Sequence, residues 1–199
     1  MSPALQRVGM FGGAFDPPHR AHVALARAAI AQLALDRLYV MPTGNAWHKS
    51  RTLTPAEDRL AMSRIAFAGV AAVQVDEREL KRSGPTYSVD TLHELHEEHP
   101  QAQLFLLMGE DQAAGFTRWH AWQEIAQLAV LGVAGRGDGA GVAALRALPG
   151  VRVELLDLPQ MPESATHIRA RLTAGQDITD LAGPAVASYI ESHNLYHTT

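Results

Sequence analysis

Gly12-Gly13-Ala14-Phe15-Asp16-Pro17-Pro18-His19-Arg20-Ala21-His22 decides how this chain is read. The stretch follows a short apolar run, Val8 to Phe11, and opens the alanine- and leucine-rich segment Ala21 to Leu35, which has no internal Gly or Pro. A strand, a glycine turn and a long helix in that order make the first part of a βαβ unit. Open α/β sheets bind ligands outside the carboxyl ends of their strands, and a helix N-terminus there offers unpaired N–H groups to an anion. Position alone therefore makes this a phosphate site. The two glycines allow close backbone approach, Asp16-Pro17-Pro18 sets a turn, and His19 and His22, three apart, project from one helix face. Two histidines alone would read as a capping or surface pair, or as a metal pair. The glycine turn in front of them reverses that preference.

The pattern continues outward. Further candidate strands are Arg37 to Met41, Val73 to Asp76, Gln103 to Met108, Leu128 to Val133 and Val151 to Leu155, with longer amphipathic stretches between them. That alternation predicts an α/β fold: a doubly wound, Rossmann-like parallel sheet with helices on both faces. Thr54-Pro55-Ala56-Glu57 reads as a capping box with Pro at the first helical position. Ser88 and Ser164 read as N-caps of two more helices, and Gly183-Pro184 introduces a last one, to about His193. Gly135 to Gly141 holds four glycines in seven residues and reads as a flexible surface loop. With 199 residues and no repeat, low-complexity tract or long linker, the expectation is one domain over residues 1–199.

Composition narrows the function. Hydrophobic residues make up 47% and charged residues 19%, with mean hydropathy −0.08, which excludes a disordered polyelectrolyte and a membrane bundle. The formal charge is −4 and no Lys/Arg block stands out, which argues against a nucleic-acid footprint. Cysteine is absent, so disulfides, thiolate zinc sites and a cysteine nucleophile are excluded together. The start lacks the features of a signal peptide, and no uncharged apolar run is long enough to span a membrane, so a cytoplasmic location is expected. Nothing here decides between a monomer and a homo-oligomer.

Neither common glycine fingerprint is met. GxGxxG is absent, and Gly44-Asn45-Ala46-Trp47-His48-Lys49-Ser50 lacks the glycine that a Walker A loop places before its lysine. A second anion-binding constellation is Ser164-Ala165-Thr166-His167-Ile168-Arg169 at another predicted helix start: two hydroxyls with free N–H groups, and a guanidinium one turn in. Alone it would read as an ordinary capped amphipathic helix. His93, His96 and His99, interleaved with Glu94, Glu97 and Glu98, read as a solvated helix face rather than a metal site.

Taken together, Gly12-Gly13-x-Phe15-Asp16-Pro17-x-His19-x-x-His22 and Ser164-x-Thr166-x-x-Arg169 resemble the nucleotidyltransferase superfamily with HxGH and SSTxxR signatures. Asp76 to Leu80 with Ser83 to Leu92, Met108-Gly109-Glu110-Asp111 with Phe116 to Trp119, and the closing Ile190 to Tyr196 are similar to the bacterial nicotinate-nucleotide adenylyltransferases. The likeness covers nearly the whole chain in order. It implies transfer of AMP from ATP, with Mg2+, to nicotinate mononucleotide, giving deamido-NAD and pyrophosphate. Such a reaction needs no protein nucleophile, because the substrate's own phosphate, with a second pKa of about 6, attacks. The protein has to align two anions and stabilise the charge on the α-phosphate and the leaving group.

The resemblance implies roles residue by residue. His19, His22 and Arg169 would be catalytic, acting at the triphosphate. Gly12, Gly13, Phe15, Lys49, Gly109, Asp111, Arg136, Ser164 and Thr166 would bind ATP. Thr43, His48, Thr86, Tyr87, Ser88, Trp119 and His120 would line the nicotinate mononucleotide side, with Trp119 stacked on the pyridine ring. No protein-held metal is implied. The chain departs from the pattern at Ala21, where the signature has glycine, at Ala14, at Ala46-Trp47 and at Arg136-Gly137. The neighbouring reading is a pantetheine-phosphate adenylyltransferase or a cytidylyltransferase. The reading from another class is a catalytically silent nucleotide-binding module.

Overall fold

Six parallel strands in the order β3-β2-β1-β4-β5-β6 form one sheet in the computed structural model, which describes residues 5–44, 52–135, 139–159, 161 and 163–196. The strands are β1 (Arg7–Gly13), β2 (Arg37–Pro42), β3 (Val73–Val75), β4 (Gln103–Gly109), β5 (Ala129–Gly135) and β6 (Val153–Asp157). Between them run α1 (Arg20–Gln32), α2 (Ala56–Phe67), α3 (Arg78–Lys81), α4 (Ser88–Glu98), α5 (Glu110–Ala114), α6 (Trp122–Leu128) and α7 (Ala140–Arg146). The chain then continues through α8 (Ala165–Thr173), α9 (Thr179–Ala182) and α10 (Pro184–Ser192).

Period-2 alternation divides the strand side chains between two helical layers. On β4, Leu104, Leu106 and Met108 join α4, α6 and α7, whereas Phe105 and Leu107 face α1 and α2. β2 does the same with Tyr39 and Met41 against Leu38 and Val40. Strands buried on both faces are the condition for an all-parallel sheet, and each fully buried aliphatic or aromatic side chain contributes about 1.5–3 kcal/mol. A third cluster joins Met62 of α2 to Ile168 of α8 and to Leu181, Val186 and Ile190 of the last two helices. The C-terminal helices thus pack on α2, beside the carboxyl end of β1. Among the described residues no helix is long and apolar enough to cross a membrane.

The expected doubly wound sheet is present, with local differences. The last strand begins two residues later than expected, at Val153, because its ladder to β5 starts with Leu131 opposite Val153. The capping box at Thr54 does not form: Pro55 takes the N-cap, the Thr54 N–H donates to Asp16 Oδ2 and its carbonyl accepts Arg59 Nε. Tyr87, not Ser88, caps α4, whereas Ser164 caps α8, its hydroxyl accepting the His167 N–H at 3.1 Å. His93 and His96 are exposed as expected, but His99 caps the end of α4 and meets the Tyr39 hydroxyl at 3.1 Å. The expected loop at Gly135 to Gly141 is structured at both described ends: Gly135 closes β5, and Gly141 is buried within α7.

Candidate active site

The strand order reverses direction between β1 and β4, the switch point at which doubly wound sheets open a crevice. Here the opening has a visible cause. β1 and β4 pair over Arg7 to Met10 against Gln103 to Leu106, and the pairing stops there although both strands run three residues further. Beyond Met10 and Leu106 the strands part, leaving a cleft of about 540 Å³, a size typical of small-molecule sites.

Its floor is the end of β1, Gly12 and Gly13, with Ala14 just after it. A Cβ built on Gly12 would meet only the Met10 methyl, at 3.8 Å, so the protein's own packing does not require glycine there. The open space serves whatever enters the cleft. The opposite wall comes from Thr86, Tyr87 and Ser88 at the start of α4 and from Gly115, Arg118, Trp119 and His120 between α5 and α6. The Tyr87 and His120 rings meet tilted by 31° with centroids 4.3 Å apart, and Trp119 is half-buried against Phe116. Asp111 and Gln112 of α5 and Thr43 after β2 also line it. The Thr86 hydroxyl oxygen is buried without a protein partner, as expected of a group that a ligand will satisfy.

The histidine pair stands at the start of α1, next to this floor. His19 is the N-cap, its backbone N–H donates to His22 Nδ1 at 3.2 Å, and the two rings stack at 3.7 Å. An Nδ1 that accepts is unprotonated, so the proton of neutral His22 sits on Nε2. His19 is 6% exposed, and burial pushes it down to about 4, so it is uncharged at neutral pH. Its Nδ1 is buried without a partner. His19 therefore stands at the start of α1 as a neutral imidazole.

Arg169 of α8 reaches across to the same turn: Nη1 donates to the Asp16 carbonyl at 2.7 Å and Nη2 to Thr166 Oγ1 at 3.2 Å. The two expected anion-binding constellations are therefore adjacent, although 153 residues separate Asp16 from Arg169. Gly109 ends β4 and caps α5 beside Asp111. The Phe15 ring is not among the side chains that line the cleft. It is 2% exposed, its backbone is left-handed with φ 45°, and it packs edge-on to His22 at 5.0 Å, so its side chain seats the imidazole instead. His48, Lys49 and Arg136 lie outside the described residues, as do Ala46 and Trp47.

Three residues to which the sequence assigned no individual role stand out. Arg59 of α2, 3% exposed, donates Nη1 to the carbonyls of Ala14 and Thr43 and Nε to that of Thr54, bracing the turns after β1 and β2 from below. Tyr196 reaches Asp16, as described below. Glu79 of α3 lines the cleft yet is 2% exposed and accepts the Thr91 hydroxyl at 2.9 Å. Burial raises it to about 7, opposed by the Thr91 hydrogen bond and by Arg82. Its carbonyl oxygen lies 2.1 Å from where a Cβ on Gly44 would be, so only glycine fits at Gly44. A buried carboxyl on a four-residue helix leaves no periodic signal.

Residues 10–171 match the cytidylyltransferase-like family model. A protein of Albidiferax ferrireducens described as a probable nicotinate-nucleotide adenylyltransferase is 51% identical over 197 residues, covering 98% of this chain and 100% of that one. One of Methylibium petroleiphilum with the same description is 41% identical over 197 residues, covering 96% and 92%. Among solved structures, the Plasmodium falciparum nicotinic acid mononucleotide adenylyltransferase complexed with NaAD superposes with a TM-score of 0.80 at 22% identity, over 96% of this chain and 97% of that one.

Proposed function

The chain belongs to the cytidylyltransferase-like family and, within it, to the nicotinate-nucleotide adenylyltransferases, and from that premise we propose how the cleft between β1 and β4 moves AMP from ATP to nicotinate mononucleotide. The 5′-phosphate oxygen of nicotinate mononucleotide attacks the α-phosphorus of ATP. The bond from that phosphorus to the bridging oxygen breaks, and pyrophosphate leaves with its electron pair, giving deamido-NAD. Both reactants are anions, so the barrier lies in bringing them together and in the charge that grows on the α-phosphoryl and leaving oxygens.

His22, held as the Nε2–H tautomer by the His19 amide, donates to the reacting phosphate. His19 adds a neutral dipole, and a ligand oxygen or water bound there would satisfy its buried Nδ1. Arg169, with Ser164 and Thr166, takes the β and γ end, fixed against the glycine turn by its bond to the Asp16 carbonyl. The ribose of ATP runs along Gly109 and Asp111. Magnesium arrives with the triphosphate as part of the substrate, since Mg2+ keeps its waters and is usually held through substrate phosphates. The pyridine ring lies against Trp119, bounded by Tyr87, His120, Thr43 and Ser88, with the unpartnered Thr86 hydroxyl available to its carboxylate.

One observation carries this reading: a single cleft at the sheet's switch point has a glycine floor at one end and an aromatic wall at the other. The test is pyrophosphate release from MgATP with nicotinate mononucleotide and nicotinamide mononucleotide in parallel, and with pantetheine phosphate as a third acceptor. Turnover preferring the acid is expected. Release with pantetheine phosphate alone, or with no acceptor, would overturn the assignment of the aromatic wall.

A further inference from the structure

Three segments far apart in sequence meet at Asp16, which is 1% exposed. Its Oδ1 accepts the Tyr196 O–H at 2.6 Å, its Oδ2 accepts the Thr54 N–H at 3.3 Å, and its backbone carbonyl accepts Arg169. Tyr196 lies 180 residues from Asp16, near the end of the chain. The backbone at both ends of this contact is strained: Tyr196 has φ 66°, and Phe15, next to Asp16, has φ 45°. Non-glycine residues in the left-handed region persist when their surroundings over-determine them, and such residues cluster at functional sites. The phenol is partly buried and hydrogen-bonded to the Asp16 carboxylate; burial and Asp16 raise the energy of its ionised form, against the smaller opposing effects of Thr54 and Arg169, so it remains a donor at any physiological pH. A buried carboxylate three residues before His19 needs such donors, because left unpaired it would either repel a phosphate or rearrange the turn.

We propose that Tyr196 is a positioning residue for adenylyl transfer: its O–H holds Asp16 so that the turn leading to His19, and the Arg169 side chain bonded to that turn, meet the triphosphate in one geometry. The proposal rests on the adenylyltransferase reading. It separates the two ends of the cleft, since Asp16 adjoins the phosphate groups and not the aromatic wall. Tyr189 supplies the control. Its hydroxyl ties α10, the helix before Tyr196, to Asp58 of α2 at 2.9 Å and not to Asp16, so its loss reports anchoring alone.

The experiment compares the wild type, Tyr196→Phe and Tyr189→Phe by thermal unfolding and by steady-state kinetics with each substrate varied, well below the unfolding temperature. Tyr196→Phe is expected to lower kcat/KM for ATP about tenfold, the effect of one hydrogen bond to a charged group. Its KM for nicotinate mononucleotide should stay within about twofold. Tyr189→Phe is expected to lower the unfolding temperature and leave every kinetic constant unchanged. A chain ending at Leu195 should repeat the Tyr196→Phe signature. Wild-type constants in both Tyr196 variants, or a loss shared equally by Tyr189→Phe or by both substrates, would overturn the proposal. Should the wild type release no pyrophosphate, the functional reading fails instead. Calorimetric titration with MgATP then decides the positioning role by whether Tyr196→Phe weakens binding.

Discussion

Replacing Glu79 by Gln should stabilise the protein at alkaline pH and not at acidic pH. Gln keeps an oxygen to accept the Thr91 hydroxyl and removes the charge that burial penalises. Burial raises the folded-state value to about 7 from an ordinary 4.5. At about 1.36 kcal/mol per tenfold change in proton affinity, that amounts to about 3 kcal/mol. The sign follows from proton counting. Between 4.5 and about 7 the folded protein holds a proton that the unfolded chain has released, so the stability present at acidic pH is lost as pH rises through the folded value. The variant carries no such proton, so its advantage grows from near zero at about pH 4 to about 3 kcal/mol at about pH 8. The value of about 7 already includes the opposing attraction to Arg82. His19 acts in the opposite sense, because its folded value of about 4 lies below the ordinary 6.5 and acidification through that window destabilises the fold. It does so equally in both proteins and cancels in the difference. Urea titrations of the two proteins across this range would measure the effect. A stability difference that stays constant with pH would refute the reasoning.

Three further outcomes are expected. His22→Ala should lower kcat by about 10²–10³ with the fold intact, the usual loss for one transition-state donor, and unchanged turnover would remove His22 from the chemistry. Trp119→Ala should raise KM for nicotinate mononucleotide about tenfold, as loss of a ring stack does, while KM for ATP holds. The reverse pattern would move the pyridine elsewhere. Gly44→Ala would set a methyl 2.1 Å from the Glu79 carbonyl, costing about 2–3 kcal/mol and several degrees of melting temperature. An unchanged melting curve would show that α3 can step aside.

The sheet was legible in the sequence because burial on both faces leaves continuous apolar runs, and the glycine turn fixed where the ligand face lies. Side-chain direction was not legible. Phe15 sits in a ligand-binding motif, yet its positive φ turns the ring inward, and no local pattern encodes that choice. Arg59, Glu79 and Tyr196 were missed for a related reason. Each acts through a contact made only in the folded chain, from Arg59 to Ala14 and Thr43, from Glu79 to Gly44, and from Tyr196 to Asp16. The N-caps divided in the same way. Ser164 caps α8 locally, whereas Pro55 caps α2 and the backbone N–H of Thr54 bonds to the distant Asp16 carboxylate.

The short ladder between β1 and β4 also bears on how the protein folds. Arg7 and Gln103, at its start, are 96 residues apart, while the other strand pairs close much shorter loops. Loop-closure entropy rises with length, and long-range pairings are slow to form. Two half-sheets, β1 to β3 and β4 to β6, should therefore assemble first and join late along the seam that closes the longest loop. The cleft exists only where that seam ends. A partly folded chain with both halves in place would hold most of its secondary structure and have no catalytic competence, so recovery of activity during refolding should lag recovery of the circular dichroism signal.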